Sequence, residues 1–280
     1  QSRSSAASDV YKRQIFHRKF ACTASGSSLG ERNGAKTGLR CATAHNGADH
    51  RQKRDVPIAA NIVSNKFVSI PSKHVEILII GAGLAGLSAA STLVSQGREV
   101  LVLDKGRGVG GRLAGRQIDG ANFDHGAQFM TARNPRFIAQ VERWVATGVA
   151  TEWYRSHSGQ PTSHARWRGV PNMREIAKQL AANIDIILAC RVEALYESGG
   201  LWCVETDDAR TIEAQAVLLT APVPQSLALL NSGNIALTVA QRKRLQQIDY
   251  DACIAVMALL DGPSHMPPPG ALVPDHPDIN

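Results

Sequence analysis

The feature that most constrains this chain is a glycine turn set between an apolar run and a segment of small residues. Val75-Glu76-Ile77-Leu78-Ile79-Ile80 is rich in β-branched side chains and is ended by Gly81. A run of this kind reads as a strand covered on both faces, as in parallel sheets. Leu84 to Gln96 follows as a helix with Gly97 as its stop, and Val100 to Leu103 forms a second apolar strand ending at Asp104. Strand, tight turn, helix and strand in so short a span make a βαβ unit.

The turn itself, Gly81-Ala82-Gly83-Leu84-Ala85-Gly86, has the G-x-G-x-x-G spacing. In this context Gly81 permits the tight turn, Gly83 lets backbone N–H groups approach a pyrophosphate, and Gly86 lets helix and strand pack closely. The helix N-terminus adds a partial positive charge worth roughly 0.3–1 kcal/mol to a nearby anion. Asp104 stands at the end of the second strand, where a carboxylate accepts hydrogen bonds from ribose hydroxyls and repels a 2′-phosphate.

These features specify a dinucleotide without saying which. Gly108-Val109-Gly110-Gly111-Arg112 narrows the choice. Gly110 and Gly111 let the chain pass close to the same pyrophosphate, and Arg112 can pair with phosphate oxygens in bidentate fashion. NAD dehydrogenases do not usually need this second clamp. The stretch from Asp104 and Lys105 through Arg107 to Arg112 resembles the flavin-containing amine oxidase superfamily, where it holds FAD.

Asp124-His125-Gly126-Ala127-Gln128-Phe129-Met130-Thr131 narrows the resemblance further. Within the superfamily it is similar to renalase and its bacterial relatives, whose pattern at this point is Asp, His or Leu, Gly-Ala-Gln, Tyr or Phe, any residue, Thr. The similarity continues through Gly169-Val170-Pro171, Arg191-Val192, the segment Leu218 to Pro224 and Tyr250-Asp251-Ala252-Cys253. The resemblance implies a Rossmann-like FAD domain with an inserted α+β substrate domain. It places Ala85, Arg112, Gln128 and Phe129 at FAD-contacting positions, and Val192 where backbone meets adenine. Phe129 stands where some relatives have Tyr. The activity it implies is oxidation of misreduced dihydronicotinamide isomers of NAD(P)H, with electrons passed to O2. The alternatives are a flavin amine oxidase or related desaturase, and a non-catalytic fragment unable to retain FAD.

The flavin-based reading asks for no catalytic side chain, because a dihydropyridine that loses hydride becomes an aromatic cation. His125 is therefore expected to hydrogen-bond backbone near the flavin. His157 and His164 read as loop residues. Trp153, Tyr154 and Trp167 are candidates either for a flat-ring pocket or for packing. No histidine–carboxylate spacing suggests a metal.

Charge excludes less than it first suggests. Residues 1–60 carry 11 Lys+Arg against 4 Asp+Glu, which accounts for the whole net charge of +7. The remainder is balanced, so a nucleic-acid surface is not expected. Five widely spaced cysteines with no CxxC pair argue against a disulfide framework and for a reducing compartment. Val75 to Val94 contains Glu76 and three glycines and reads as strand plus helix, not as a membrane span.

The expected organisation is as follows. Residues 1–72 form a disordered leader or non-native extension, with Ser4–Gln14 resembling carry-over. Their Arg- and Ser-rich composition also fits an organelle transit peptide, so the location is expected to be cytoplasmic or organellar. Residues 73–135 form the FAD-binding βαβ segment and 136–190 a helical substrate-domain segment. Residues 191–222 return strands to the FAD domain, and 223–280 are substrate domain. The Pro-rich end at Asn280, without a closing helix or strand, is read as C-terminally incomplete. Within 136–190, Asn172 and Glu175 are expected to form a capping box for a helix over Met173–Ala182.

Overall fold

The computed structural model describes residues 40–43, 73–157, 160–251, 253–268 and 270–271. The remainder of the 1–72 segment and the Pro277–Asn280 end lie outside the described residues. The architecture is α/β. Strands β2 (Lys73–Ile80), β3 (Val100–Leu103), β8 (Asp185–Ile187), β9 (Val192–Ser198), β10 (Leu201–Thr206) and β11 (Thr211–Leu219) form one sheet in the order β8-β3-β2-β11-β10-β9. The four strands from β8 to β11 are parallel, and β10 runs antiparallel to both β11 and β9.

The apolar runs explain this sheet. Every residue of β3 is buried, and along β2 successive side chains serve opposite faces. Ile79 and Val102 join Leu87, Val141, Trp144, Met173 and Ile176 on one side. Leu78, Ile80, Leu101 and Leu103 join Leu195, Val204 and Ile212 on the other. Each such side chain taken fully out of water contributes about 1.5–3 kcal/mol. Helix α1 (Leu84–Ser95) buries only Gly86, Leu87 and Ala90; Gly86 and Ala90 are small enough to let it lie close on the sheet, and Leu87 enters the core.

Helix α2 (Pro135–Ala146) begins where Asn134 and Pro135 place it, with the Asn134 side chain accepting the Arg136 N–H at 2.9 Å. It buries Val141 and Trp144 against the sheet side of the core. Helix α3 (Arg174–Leu180) adds Ile176 and Ala177 to that same core. Residues 136–190 therefore share one core with the βαβ segment. The return to the sheet already occurs at β8, before the boundary expected at 190. A three-residue strand between polar neighbours gives little periodicity to read.

Several local expectations are corrected. The Asn172/Glu175 capping box does not form: Asn172 Oδ1 accepts the Arg174 N–H at 3.1 Å, and the Glu175 carboxylate pairs with Lys178 at 2.7 Å. The stretch containing His157 and His164 is no loop but an antiparallel pair, β6 (Ala150–His157) and β7 (Gln160–Gly169). Its register shifts near Tyr154 blur the alternation that would have marked strands. The apolar run Ala216–Leu219 ends a strand that starts at Thr211. Pro222 and Pro224 open helix α4 (Val223–Ser232), since proline fits a first helical turn. Helix α5 (Val239–Gln246) follows, and here Thr238 and Gln241 do make a capping box.

Within the expected leader, β1 (Arg40–Thr43) pairs antiparallel with β12 (Val256–Leu259), giving the backbone groups of each strand partners they would otherwise lack. A short hairpin of β4 (Arg116–Ile118) and β5 (Ala121–Phe123) links the two glycine turns to the Asp124 segment. No helix among the described residues is long and apolar enough to cross a membrane. Cys190, Cys203 and Cys253 are free thiols, the first two buried.

Candidate cofactor site

The site lies at the C-terminal ends of β2, β3 and β11, where ligands bind in open α/β sheets. Gly81 turns the chain at φ 116°, in the region that side chains disfavour, and its N–H donates to the Leu103 carbonyl at 2.8 Å. A Cβ on Gly86 would overlap the Gly81 carbonyl oxygen, so helix α1 can start this close to the turn only with glycine there. The Thr220 hydroxyl, at the end of β11, lies 3.0 Å from the carbonyl oxygens of both Ile80 and Gly81. It pins the turn from the neighbouring strand.

The second glycine turn docks on the first. The Gly110 N–H donates to the Ala82 carbonyl at 2.8 Å, and Gly83 and Gly110 form a parallel bridge. A Cβ on Gly111 would come within 3.2 Å of the Gly83 Cα. Asp104 fastens both turns: one carboxylate oxygen accepts the Ala82 N–H and the other the Gly106 N–H, each at 2.6 Å. With about four acceptor positions on a carboxylate, it retains capacity for sugar hydroxyls.

The mouth of this cradle is open. A Cβ on Gly83 would meet nothing within 4 Å, Leu84 and Ala85 are exposed, and α1 has no side-chain cap at its N-terminus. Its leading N–H groups are thus available to an anion. Arg112 is exposed in the single turn of 310 helix at Gly111–Leu113, and its side chain makes no hydrogen bond or ion pair among the described residues. Lys105 is directed elsewhere, its ammonium donating to Gln225 Oε1 on α4 at 2.9 Å. Val192 opens β9, just after Ala189 and Cys190 donate to the Gly106 and Asp104 carbonyls at 2.8 and 3.0 Å. It therefore stands beside the Asp104 turn.

The Asp124–Thr131 segment leaves the cradle directly. The Ala127 N–H donates to the Arg112 carbonyl at 2.8 Å, and a Cβ on Gly126 would overlap that same oxygen. Three residues on from Ala127, Met130 and Trp167 exchange backbone hydrogen bonds at 2.8 and 2.9 Å, so the segment runs alongside β7. Gln128 and Phe129 lie between these two anchor points, both half-buried. The Phe129 ring is 6.3 Å from Trp153 and 6.3 Å from Tyr154, and Trp153 and Tyr154 are 5.0 Å apart edge to face. The Arg166 guanidinium carbon sits 5.3 Å from the Phe129 ring centroid. An aromatic wall with one guanidinium thus adjoins the cradle.

Three residues of the site, Thr220, Arg166 and Arg174, were not singled out from the sequence, and Asp124 was read there only as the first residue of its motif. The Asp124 carboxylate accepts the Met173 N–H at 3.0 and 3.2 Å, tying its segment to the start of α3. Burial pushes its pKa up to about 6, against the opposing pull of the Met173 N–H and the Arg168 charge. The guanidinium of Arg174 fills the space beside Gly108 that a side chain there would need. Only the order of glycines hinted at any of these contacts. His125 is exposed and makes no hydrogen bond among the described residues, contrary to the expected backbone contact. Desolvation, then the Arg116 charge, hold its imidazole below the usual pKa.

Spacing gave no hint of a metal site, yet the fold brings ligand atoms of Cys190, Asp207 and Asp208 within 4.8 Å of one another. Hydrogen bonding accounts for that proximity. Asp207 accepts the Arg191 N–H, while Asp208 is held by Thr206 and Arg210. Arg210 and then Thr206 keep Asp208 far below the ordinary carboxylate range.

The fold and cradle are those of a Rossmann-like α/β domain. Residues 79–144, which carry both glycine turns, match the family described as an NAD(P)-binding Rossmann-like domain. Over 67 residues the chain is 40% identical to putrescine oxidase of Kocuria rosea, covering 24% of this chain and 14% of that protein. Over 51 residues it is 47% identical to the 4,4'-diapophytoene desaturase (4,4'-diaponeurosporene-forming) of Staphylococcus aureus strain Newman, covering 18% of this chain and 10% of the desaturase. The matches thus span a small part of either relative. A solved structure of wild-type putrescine oxidase bound to putrescine aligns at a TM-score of 0.46 and 16% identity, over 63% of this chain and 64% of that one. The chain is homologous in this segment to an oxidase and a desaturase.

Proposed function

We propose that this chain binds FAD across its two glycine turns and serves an oxidoreductase that takes hydride from a small organic donor. The observation that carries the reading is the bridge between Gly83 and Gly110, which sets the uncapped start of α1 beside the turn bearing Arg112. The residues fit the cofactor: a pyrophosphate needs close backbone approach and positive charge, and the open space at Gly83 supplies the first while Arg112 supplies the second. Bound there, FAD supplies a two-electron acceptor that O2 can reoxidise.

The chain's own residues bind and orient. The N-terminal N–H groups of α1 and the Arg112 guanidinium hold phosphate oxygens, while Asp104 keeps both turns in place and accepts from ribose. Val192 serves the adenine end. Gln128 and Phe129 lead toward the ring end, and the aromatic wall there shields the site from water. Within this class we favour a renalase-like oxidase acting on misreduced dihydronicotinamide isomers. The support is the Asp124–Thr131 segment, placed between the cradle and the aromatic wall. An amine oxidase or desaturase is the second reading, supported by the identities to putrescine oxidase and the diapophytoene desaturase.

The full chain, titrated with FAD, should quench flavin fluorescence at one equivalent. Arg112→Ala should weaken that binding roughly ten- to hundredfold, since hydrogen bonds to charged groups are worth about 1.5–3 kcal/mol. Equal affinity in both proteins would remove the phosphate-binding role of Arg112. Mixed anaerobically with 6-dihydroNAD or with putrescine, the flavin band should bleach with the former; bleaching by putrescine alone would overturn the renalase-like reading.

A further inference from the structure

Arg166 is an unusual residue to find in an aromatic wall. Its guanidinium carbon lies 5.3 Å from the Phe129 centroid, and its Nη1 donates to the His164 carbonyl at 3.1 Å. Its Nε is buried with no hydrogen-bond partner among the described residues. Among the described residues no carboxylate pairs with it either: Glu152, on the neighbouring strand, is taken by Arg155 at 2.7 and 2.8 Å. A buried guanidinium donor without an acceptor is costly unless something supplies one. Arg166 also pairs across the hairpin with Tyr154, whose phenol is pushed up in pKa by burial while the guanidinium charge and hydrogen bond pull it down.

The location gives this a direction. Ala127 is bonded to the Arg112 carbonyl in the cradle, and Phe129 is two residues further, a reach of at most about 7 Å. The wall of Phe129, Trp153 and Tyr154 with its guanidinium is therefore the ring-side continuation of the cofactor site. Aromatic faces accept flat rings, and a fixed planar fork of donors accepts carbonyl or anionic oxygen. The same fork repels an ammonium group, and the low polarity of the surroundings strengthens that repulsion.

We propose that Arg166 is a specificity-determining residue: it admits a flat, uncharged or anionic ring bearing an acceptor oxygen, such as a carboxamide, and turns away cationic amines. This rests on the wall being the donor side of the cofactor site proposed above. It separates the two readings by electrostatics, because a diamine would have to approach a guanidinium with no neighbouring carboxylate to offset it.

The test uses the full chain, supplied with FAD, in three forms: wild type, Arg166→Gln and Arg166→Lys. The fluorescence anisotropy of NADH reports binding of a carboxamide-bearing ring, and putrescine is the competitor. Wild type should bind NADH and ignore putrescine, and Arg166→Gln should bind NADH about tenfold or more weakly. Arg166→Lys, which keeps the charge but loses the planar fork, should fall between them while still rejecting putrescine. Undiminished NADH binding in Arg166→Gln overturns the proposal, as does displacement of NADH by putrescine from wild type. FAD occupancy, read separately near 450 nm, tests the cofactor reading alone. Should no flavin be retained, that reading fails, while the anisotropy series still decides the role of Arg166. Far-UV circular dichroism of each variant distinguishes lost binding from lost fold, and the Lys form keeps the comparison decisive if the Gln form unfolds.

Discussion

The glycine cradle and the aromatic wall adjoin each other but are built from different material. The cradle is backbone against backbone: Gly110 on Ala82, Gly81 on Leu103, with Asp104 and Thr220 as its two side-chain fasteners. The wall is side chain against side chain, with Phe129, Trp153, Tyr154 and Arg166 brought together by a hairpin and a segment running beside it. A surface of backbone N–H groups recognises what all dinucleotides share, whereas a surface of side chains can discriminate among donors. The family match, over residues 79–144, takes in the cradle and ends before the hairpin.

The contrast can be broken most forcefully at Gly86. Because any Cβ there overlaps the Gly81 carbonyl, Gly86→Ala should lower stability by about 1–3 kcal/mol and abolish FAD uptake. Thermal melts and flavin titration check both, and an unaltered melt would mean that the turn does not depend on this packing. A smaller effect is expected at Thr220. Thr220→Val keeps the shape and removes the hydroxyl bonded to Ile80 and Gly81, which should cost about 1 kcal/mol and weaken FAD several-fold. If only stability changes and affinity does not, Thr220 supports the sheet without shaping the cradle.

The smallest effect sharpens the junction between the two regions. Asp124 has its pKa raised to about 6 in the folded chain, so the folded state holds that proton more tightly than the unfolded one does. Its contribution is fully present below an ordinary carboxylate pKa of about 4 and is lost as pH rises toward 6. Asp124→Asn keeps an acceptor for the Met173 N–H and cannot ionise. Its stability relative to wild type should therefore rise across that window, by less than about 1 kcal/mol given partial solvent screening. Denaturant midpoints at pH 4 and pH 7 measure this; a difference that does not change with pH would show that Asp124 is not desolvated.

What could be read from the sequence follows the same boundary. The strand Val75–Ile80, the helix from Leu84 and the strand Val100–Leu103 were legible because a βαβ unit is written in local terms: apolar runs, small residues and glycines at fixed offsets. Gly81, Gly83, Gly110 and Gly111 were legible for the same reason, and the structure brings them together. The hairpin was not, since its strands mix charged and aromatic residues and carry irregular register. Nor were Thr220, Arg166 and Arg174, whose contacts depend on residues distant in the chain. The Asn172 capping box was legible and wrong, because Asn172 Oδ1 accepts the Arg174 N–H and the Glu175 carboxylate is held by Lys178 instead of reaching back.

The Thr220 clasp also bears on the order of biosynthesis. It joins atoms 139 and 140 residues apart in the chain, so a nascent polypeptide would expose its first glycine turn long before the clasp could emerge from the ribosome. Under the proposed function, loading of FAD would then be a late event, occurring after the last parallel strand has slotted in.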